Sequence, residues 1–270
     1  MKESKQILSV ENLKICFTQY VKGLKTRRIT PIESLNVSIN AGEIMAVIGA
    51  SGSGKSLLAH AILGILPGNA LCEGDITYCG QPLTEEKKIE LRGKEISFIP
   101  QSVNYLDPLM RVSEQVKIGL PKKDADKQQK ELFHRYGLKE KDGELYPFQL
   151  SGGMLRRVLF ATSIRDNIKL VIADEPTPGI HPEALSTILN QLRAFADDGA
   201  AVMLITHDIV SALTVCDRVT VLKDGKTIET TMAENFSADG RHLQHWYSRA
   251  LWNALPQNSF SVHEEVEAWL

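Results

Sequence analysis

The chain has 270 residues, 43% of them hydrophobic and 24% charged, with a formal net charge of -2. That length can bury one large α/β core with a smaller insert, and the near-neutral balance argues against a surface that gathers nucleic acid or anionic lipid by bulk electrostatics. No run approaches the roughly 18 apolar residues of a membrane span, and Met1-Lys2-Glu3-Ser4-Lys5-Gln6 lacks the apolar core of a signal peptide, so any membrane role is expected to come through a protein partner.

Along the first 40 residues, β-like runs at 7–10, 13–17 and 35–39 alternate with a basic stretch at 22–28 that reads as turn-rich, which predicts a small antiparallel sheet of short strands. Residues 44–48 are continuously apolar, as a buried parallel strand should be. Residues 55–66 carry a helical stripe (Leu57, Leu58, Ala61, Ile62, Ile65) stopped by Pro67-Gly68. Between that strand and that helix stands Gly49-Ala50-Ser51-Gly52-Ser53-Gly54-Lys55-Ser56, a complete G-x-x-x-x-G-K-[ST]. Its glycines let N–H groups converge on phosphates, Lys55 reaches the β- and γ-phosphates, and Ser56 suits Mg²⁺.

Residues 96–100 predict another strand, followed by Gln101. Residues 102–149 are polar and helical in pattern, with 122–127 a solvated helix start. Leu150-Ser151-Gly152-Gly153-Met154 is placed to open a helix and offers backbone N–H groups and a hydroxyl to a phosphate. A chain has little use for two phosphate sites that share no ligand, unless each completes a neighbour's site. Further apolar strands follow at 170–173 and 201–205, separated by a helix at 183–196. The first ends in Asp174, suited to Mg²⁺, and Glu175, suited to polarise an attacking water. His207 follows the second, where a γ-phosphate contact belongs. Residues 219–228 read as a hairpin with an Asp224-Gly225 turn, and the tail beyond 236 is helical in part. The cysteines (Cys16, Cys72, Cys79, Cys216) are scattered without a CxxC pair, so reduced cytosolic thiols are expected. His242 and His245 stand three apart and His263 follows; a regulatory metal site competes there with a structural tail motif plus exposed histidines, and two or three histidines alone rarely make a site.

In this order the pieces resemble the ATP-binding subunits of ABC transporters, over nearly the whole chain. The resemblance makes residues 49–56 Walker A (with Leu57 at its end), Gln101 the Q-loop, residues 150–154 the signature, Asp174 and Glu175 the Walker B acids and His207 the switch histidine. It places Phe17 on adenine, with Tyr20 a substitute and plain sheet core the competing reading. It implies an α/β P-loop NTPase (RecA-like) core with an N-terminal antiparallel β subdomain and an α-helical insert, divided at 1–101, 102–150, 151–235 and 236–270. It further implies catalysis by Glu175, His207, Lys55 and Gln101, Mg²⁺ on Ser56, Gln101 and Asp174, and ATP on Phe17 and residues 49–57. Ser151, Gly152, Gly153 and Met154 would then bind the nucleotide of a facing subunit.

Met154, where the family's usual residue is Gln, the Leu106-Asp107-Pro108-Leu109-Met110 segment and His245-Trp246-Tyr247-Ser248-Arg249-Ala250-Leu251 with Pro256 are similar to the nickel, dipeptide and oligopeptide importer subfamily. The implied partners are a second, paralogous ATPase subunit, two transmembrane permease subunits and, indirectly, an extracellular substrate-binding protein, at the cytoplasmic face of the cell membrane and without nucleic acid. The clustered tail cysteines of longer relatives are missing, so no iron–sulfur cluster is carried over. In the D-loop, Ile180-His181 replace the usual Leu-Asp and Pro178-Gly179 the usual small residues, which points to unequal ATP sites. The competing functions are an exporter's ATPase, a soluble ABC ATPase acting on a macromolecule, which usually needs a coiled-coil insert or two ATPase domains, and a non-hydrolysing subunit, against which Glu175 and His207 stand.

Overall fold

The computed structural model describes residues 5–22, 25–163, 165, 167–176, 182–237, 240–255 and 258. Its centre is built from the apolar runs. Strands β3 (Ile44–Gly49), β7 (Leu170–Asp174) and β8 (Ala201–Ile205) are buried at every residue. They run parallel, and β6 (Ile96–Ile99) and β9 (Arg218–Lys223) complete the order β9-β3-β8-β7-β6. Successive side chains of a strand point to opposite faces, so each strand feeds two cores. Ile44, Ala46, Ile48, Val171, Ala173, Val202 and Leu204 lie in one. Met45, Val47, Leu170, Ile172, Met203 and Ile205 lie in the other. Burial on both faces is why these strands read as unbroken apolar runs.

The second core is closed by α1 (Lys55–Leu63) and by the antiparallel pair β1 (Gln6–Lys22) and β2 (Lys25–Asn40). Outside β1 lie β4 (Ala70–Tyr78) and the short β5 (Gln81–Pro82). A single bridge from Ser34 to Lys226 joins this part to β10 (Lys226–Met232), which pairs antiparallel with β9. The described residues thus share one sheet, ordered β5-β4-β1-β2-β10-β9-β3-β8-β7-β6. At the β9–β10 hairpin, Asp224 (φ 48°) and Gly225 (φ 72°) are both left-handed, as the Asp-Gly turn requires.

Two local expectations change. Lys22 and residues 25–28 of the basic stretch are strand rather than turn. Thr26, Arg27 and Arg28 pair with Tyr20, Gln19 and Thr18 in one long ribbon. Both of its strands are solvent-exposed there, so no alternation marks it as β. Helix α1 ends at Leu63, three residues before Leu66, and is capped by Gly64, whose left-handed φ of 64° lets its N–H reach the Ala61 and His60 carbonyls.

After α2 (Glu85–Leu91) and β6 the chain turns helical, through short 3₁₀ turns and helices α3 (Val112–Lys117), α4 (Ala125–Arg135) and α5 (Gly152–Ser163). Val116, Phe133, Tyr136 and Phe160 carry this layer into the first core, with the Tyr136 and Phe160 rings 6.2 Å apart. Helix α6 (Pro182–Asp197) covers the same face of the sheet with Ile188, Leu189 and Leu192, and α7 (Ile209–Leu213) and α8 (Trp246–Asn253) follow. Among the described residues no helix is long and apolar enough to cross a membrane. Pro178-Gly179, Ile180-His181, Pro256 and His263 lie outside the described residues.

Candidate active site

The ends of β3, β7 and β8 place the predicted residues at one edge of the parallel sheet. Gly49 ends β3 with φ 156°, and a Cβ there would stand 2.3 Å from the Leu222 carbonyl oxygen. Only a residue without a side chain lets the loop leave the sheet so close to β9. Gly54, at φ 99°, begins α1, and a Cβ on it would strike the Ile32 side chain at 2.8 Å. Inside the loop Lys55 is buried and donates from Nζ to the carbonyls of Gly49 (2.8 Å) and Ala50 (3.0 Å). Burial pulls its pKa down, and the charges of Glu175 and Asp174 oppose that shift. Ser51 and Gly52 are exposed, Ser56 and Leu57 half-buried. The Ser53 hydroxyl is buried without a hydrogen-bond partner.

Asp174 closes β7. It is only 4% exposed, and its Oδ1 has no partner. Burial pushes its pKa up, with the Ser56 hydroxyl pulling the other way. An acceptor left this way costs about 1–3 kcal/mol, a cost that a bound cation would relieve.

Glu175 adopts a left-handed φ of 45°, which is uncommon outside glycine and marks functional turns. Its N–H donates to the Ile205 carbonyl (2.8 Å), which holds the residue against β8. The buried carboxylate receives the Thr206 hydroxyl at 3.4 Å and lies 2.8 Å from His207 Nδ1. The Thr206 N–H donates to the Val47 carbonyl, so the His207 segment hangs from β3. Glu175 and His207, 32 positions apart, form one unit with the acid inside and the imidazole exposed.

Gln101 is exposed. Its main chain is held by Arg156 of α5, whose Nη1 donates to the carbonyls of Pro100 (3.2 Å) and Gln101 (2.9 Å). Arg156 is buried, and desolvation lowers its pKa. Sequence reasoning passed over this residue. Its signal was a cation three and four residues before the buried Leu159 and Phe160, on the apolar face of α5. Phe17 is half-buried against the second core, opposite Ile29 and Ala70, and Tyr20 stands out in solvent.

Ser151 caps the start of α5 by accepting the Met154 N–H (3.3 Å). Ser151, Gly152 and Gly153 are exposed and Met154 half-buried. Among the described residues the phosphate-loop motif (49–57) and the 151–154 motif are separate elements, joined by no hydrogen bond or ion pair.

Residues 32–178 match the ABC transporter family model. The chain belongs to that family, as one of its ATP-hydrolysing subunits. This ABC ATPase is 33% identical over 266 residues to the oligopeptide transport ATP-binding protein OppD of Escherichia coli K12, covering 93% of this chain and 76% of the relative. The OppD of Bacillus subtilis 168 is 32% identical, over 97% of this chain and 75% of its own. The dipeptide transport ATP-binding protein DppD of Lactococcus lactis is 29% identical, over 97% and 77%. Among solved structures, a dimeric ATP-binding cassette in a post-hydrolysis state with ADP and Pi superimposes with a TM-score of 0.71 at 26% identity, covering 84% of this chain and 99% of the cassette.

Proposed function

We propose that this ABC ATPase powers an importer of di- or oligopeptides, binding ATP between its own Walker A and the signature of a facing subunit. The observation that carries the shared site is the separation just described. The phosphate loop holds a buried, unsatisfied hydroxyl, that of Ser53, and the second phosphate-binding element lies exposed on another helix. The substrate class rests on the oligopeptide and dipeptide relatives, and chelated nickel is the cargo that the same tail and signature features accommodate.

On this reading the chain divides into a β and Walker A part (1–101), a helical part (102–150), a signature, Walker B and switch part (151–235) and a tail (236–270). Lys55 leaves the Gly49 and Ala50 carbonyls for the β- and γ-phosphates, and Phe17 stacks on adenine. Glu175 accepts a proton from the water that attacks in line, and its hydrogen bond with His207 keeps the imidazole at the γ-phosphate. Gln101, held by Arg156, faces the attacking water. Mg²⁺ would be held by Ser56 and Asp174, which interact with each other, with Gln101 as the ligand the Q-loop supplies, because Asp174 Oδ1 is otherwise an orphaned buried acceptor. When bound, the ion neutralises charge developing on the phosphates. Ser151 and the N–H groups of Gly152, Gly153 and Met154 bring a helix N-terminus to the partner's γ-phosphate.

Tyr105, Leu109 and Phe148 are more than 60% exposed on the helical part, and Phe148 lies flat on Tyr146 at 5.7 Å. Exposed apolar surface of this kind suits a permease segment. The working assembly is then a pair of ATPase subunits, this chain with a paralogue, on two permeases at the cytoplasmic face, fed by an extracellular binding protein. The test is uptake by the reconstituted complex of a labelled tripeptide and of nickel, with and without Lys55→Ala. Peptide uptake that needs ATP and an intact Lys55 supports the proposal. Uptake of nickel alone overturns the peptide assignment, and uptake of neither overturns the importer.

A further inference from the structure

A cleft of about 470 Å³ opens where α4, α5 and α6 meet. That is the size of a small-molecule site, and the ATPase chemistry above gives the cleft no part. Tyr136, Phe160 and Ile188 lend it an apolar wall, and Arg135, Arg156 and Arg157 lend it positive charge. Among the described residues no carboxylate lines it. The Tyr136 hydroxyl is buried without a hydrogen-bond partner, and burial pushes the phenol up to about 12, so it keeps its proton. A buried donor left in that state calls for a partner.

The charge is not compensated from within. Arg156, buried, donates to the Pro100 and Gln101 carbonyls. Arg157 donates from Nη1 to the Gly137 carbonyl (2.9 Å) and from Nε to the Gly153 carbonyl (3.3 Å). Among the described residues the hydrogen bonds of both arginines go to main-chain carbonyls, and neither has a carboxylate partner. Carbonyls satisfy the N–H groups but bring no net negative charge, and a charge out of water without a counter-ion is costly. Desolvation lowers the Arg156 pKa with no carboxylate to oppose it. An anion in the cleft is the missing partner, because the planar guanidinium fork matches a carboxylate or a phosphate. The apolar wall asks that the anion carry an apolar body.

Through α5 the cleft reaches two elements that handle ATP. Gly153 of the 151–154 motif lines it, as does Arg156, which holds the main chain at Gln101. Arg157 ties that same Gly153 to Gly137, just beyond α4. An anion that draws these guanidinium groups toward itself competes with the carbonyls they now hold. Occupancy then loosens the seat of Gln101 and the start of α5 together.

We propose that this cleft is a regulatory site for a small amphipathic anion, a carboxylate or phosphate on an aromatic or aliphatic body, and that its occupancy lowers ATP turnover. Binding stands on the cleft alone, whereas the effect on turnover rests on the reading of 151–154 as signature and Gln101 as Q-loop. In the assembled complex, with saturating ADP to fill the nucleotide sites, calorimetry measures binding of N-acetylphenylalanine, its neutral amide, acetate and phenyl phosphate. Either ringed anion should bind at least about tenfold more tightly than the amide or acetate, and the tighter of the two names the preferred head. Arg157→Gln removes a cation, and Gln191→Glu sets a carboxylate on the half-buried α6 side of the cleft. Each variant should abolish that preference while its unfolding temperature stays near wild type. Phosphate release by the wild-type complex should fall about fivefold on saturation with the tighter anion, and that of Gln191→Glu should not respond. Anion and amide binding alike, or a preference kept by both variants, overturns the site. Binding that leaves turnover unchanged overturns the regulation. Wild type that hydrolyses no ATP while still binding the anion overturns the ATPase reading instead.

Discussion

Replacing Asp174 by asparagine keeps the shape of the side chain and removes its charge. In the nucleotide-free chain that carboxylate is 4% exposed, with Oδ1 unpartnered and its pKa raised chiefly by burial. A buried polar group in that state costs about 1–3 kcal/mol. The new amide still has to be housed, so the lower end applies, a gain of about 1 kcal/mol. For a chain of this size that raises the unfolding temperature by about 2–4 °C. The sign of the pH effect follows from the same shift. Between the ordinary carboxylate value, about 3.9, and the raised folded value, the folded chain keeps a proton that the unfolded chain has lost. The carboxyl's contribution to stability is therefore fully present below the ordinary value and lost as pH rises through the folded one. The Asp174→Asn variant lacks that slope. Calorimetry across pH without nucleotide checks both effects, and phosphate release in the presence of Mg²⁺ checks the loss of turnover. A nucleotide-free variant less stable than wild type, or one that still hydrolyses ATP at the parental rate, refutes the view of Asp174 as a costly acceptor kept for a cation.

Arg156→Met removes both hydrogen bonds to the Pro100 and Gln101 carbonyls. With charged donors worth about 1.5–3 kcal/mol and Arg's own desolvation relieved, the net loss is about 2 kcal/mol, seen as an unfolding temperature lower by about 4–8 °C and a reduced kcat. Gly49→Ala must push the loop away from the Leu222 carbonyl; it loses nucleotide affinity in a fluorescent-nucleotide titration and stability by about 2 kcal/mol or more. Lys55→Ala removes the cation from the phosphates and lowers ATP turnover by about a hundredfold or more, measured as phosphate release.

How much of this was legible in the sequence differs by element. Strands β3, β7 and β8 and the phosphate loop were readable because burial on both faces leaves unbroken apolar runs, and the loop's glycines stand where the chain passes the β9 backbone. The long β1–β2 ribbon was not, since its outer half lies in solvent and carries no pattern of period two. Glu175 and His207 were legible as separate residues of an ordered set. Their hydrogen bond was not, because it depends on β7 and β8 being neighbours in the sheet. Arg156 was overlooked for a different reason: a charged residue on an apolar helix face reads as an irregularity until the Q-loop carbonyls are seen against it. The tail motif was recognisable, yet its packing against Lys223 and Glu229 follows only from the β9–β10 hairpin being where the fold puts it.

The shared-site account is tested most directly by Glu175→Gln in the purified subunit pair, followed by size-exclusion chromatography with radiolabelled ATP and by phosphate release. Removing the general base while leaving the phosphate contacts intact should leave ATP uncleaved in a closed dimer, with release of phosphate near background. Turnover near the parental rate, or ATP bound only by monomers, contradicts it.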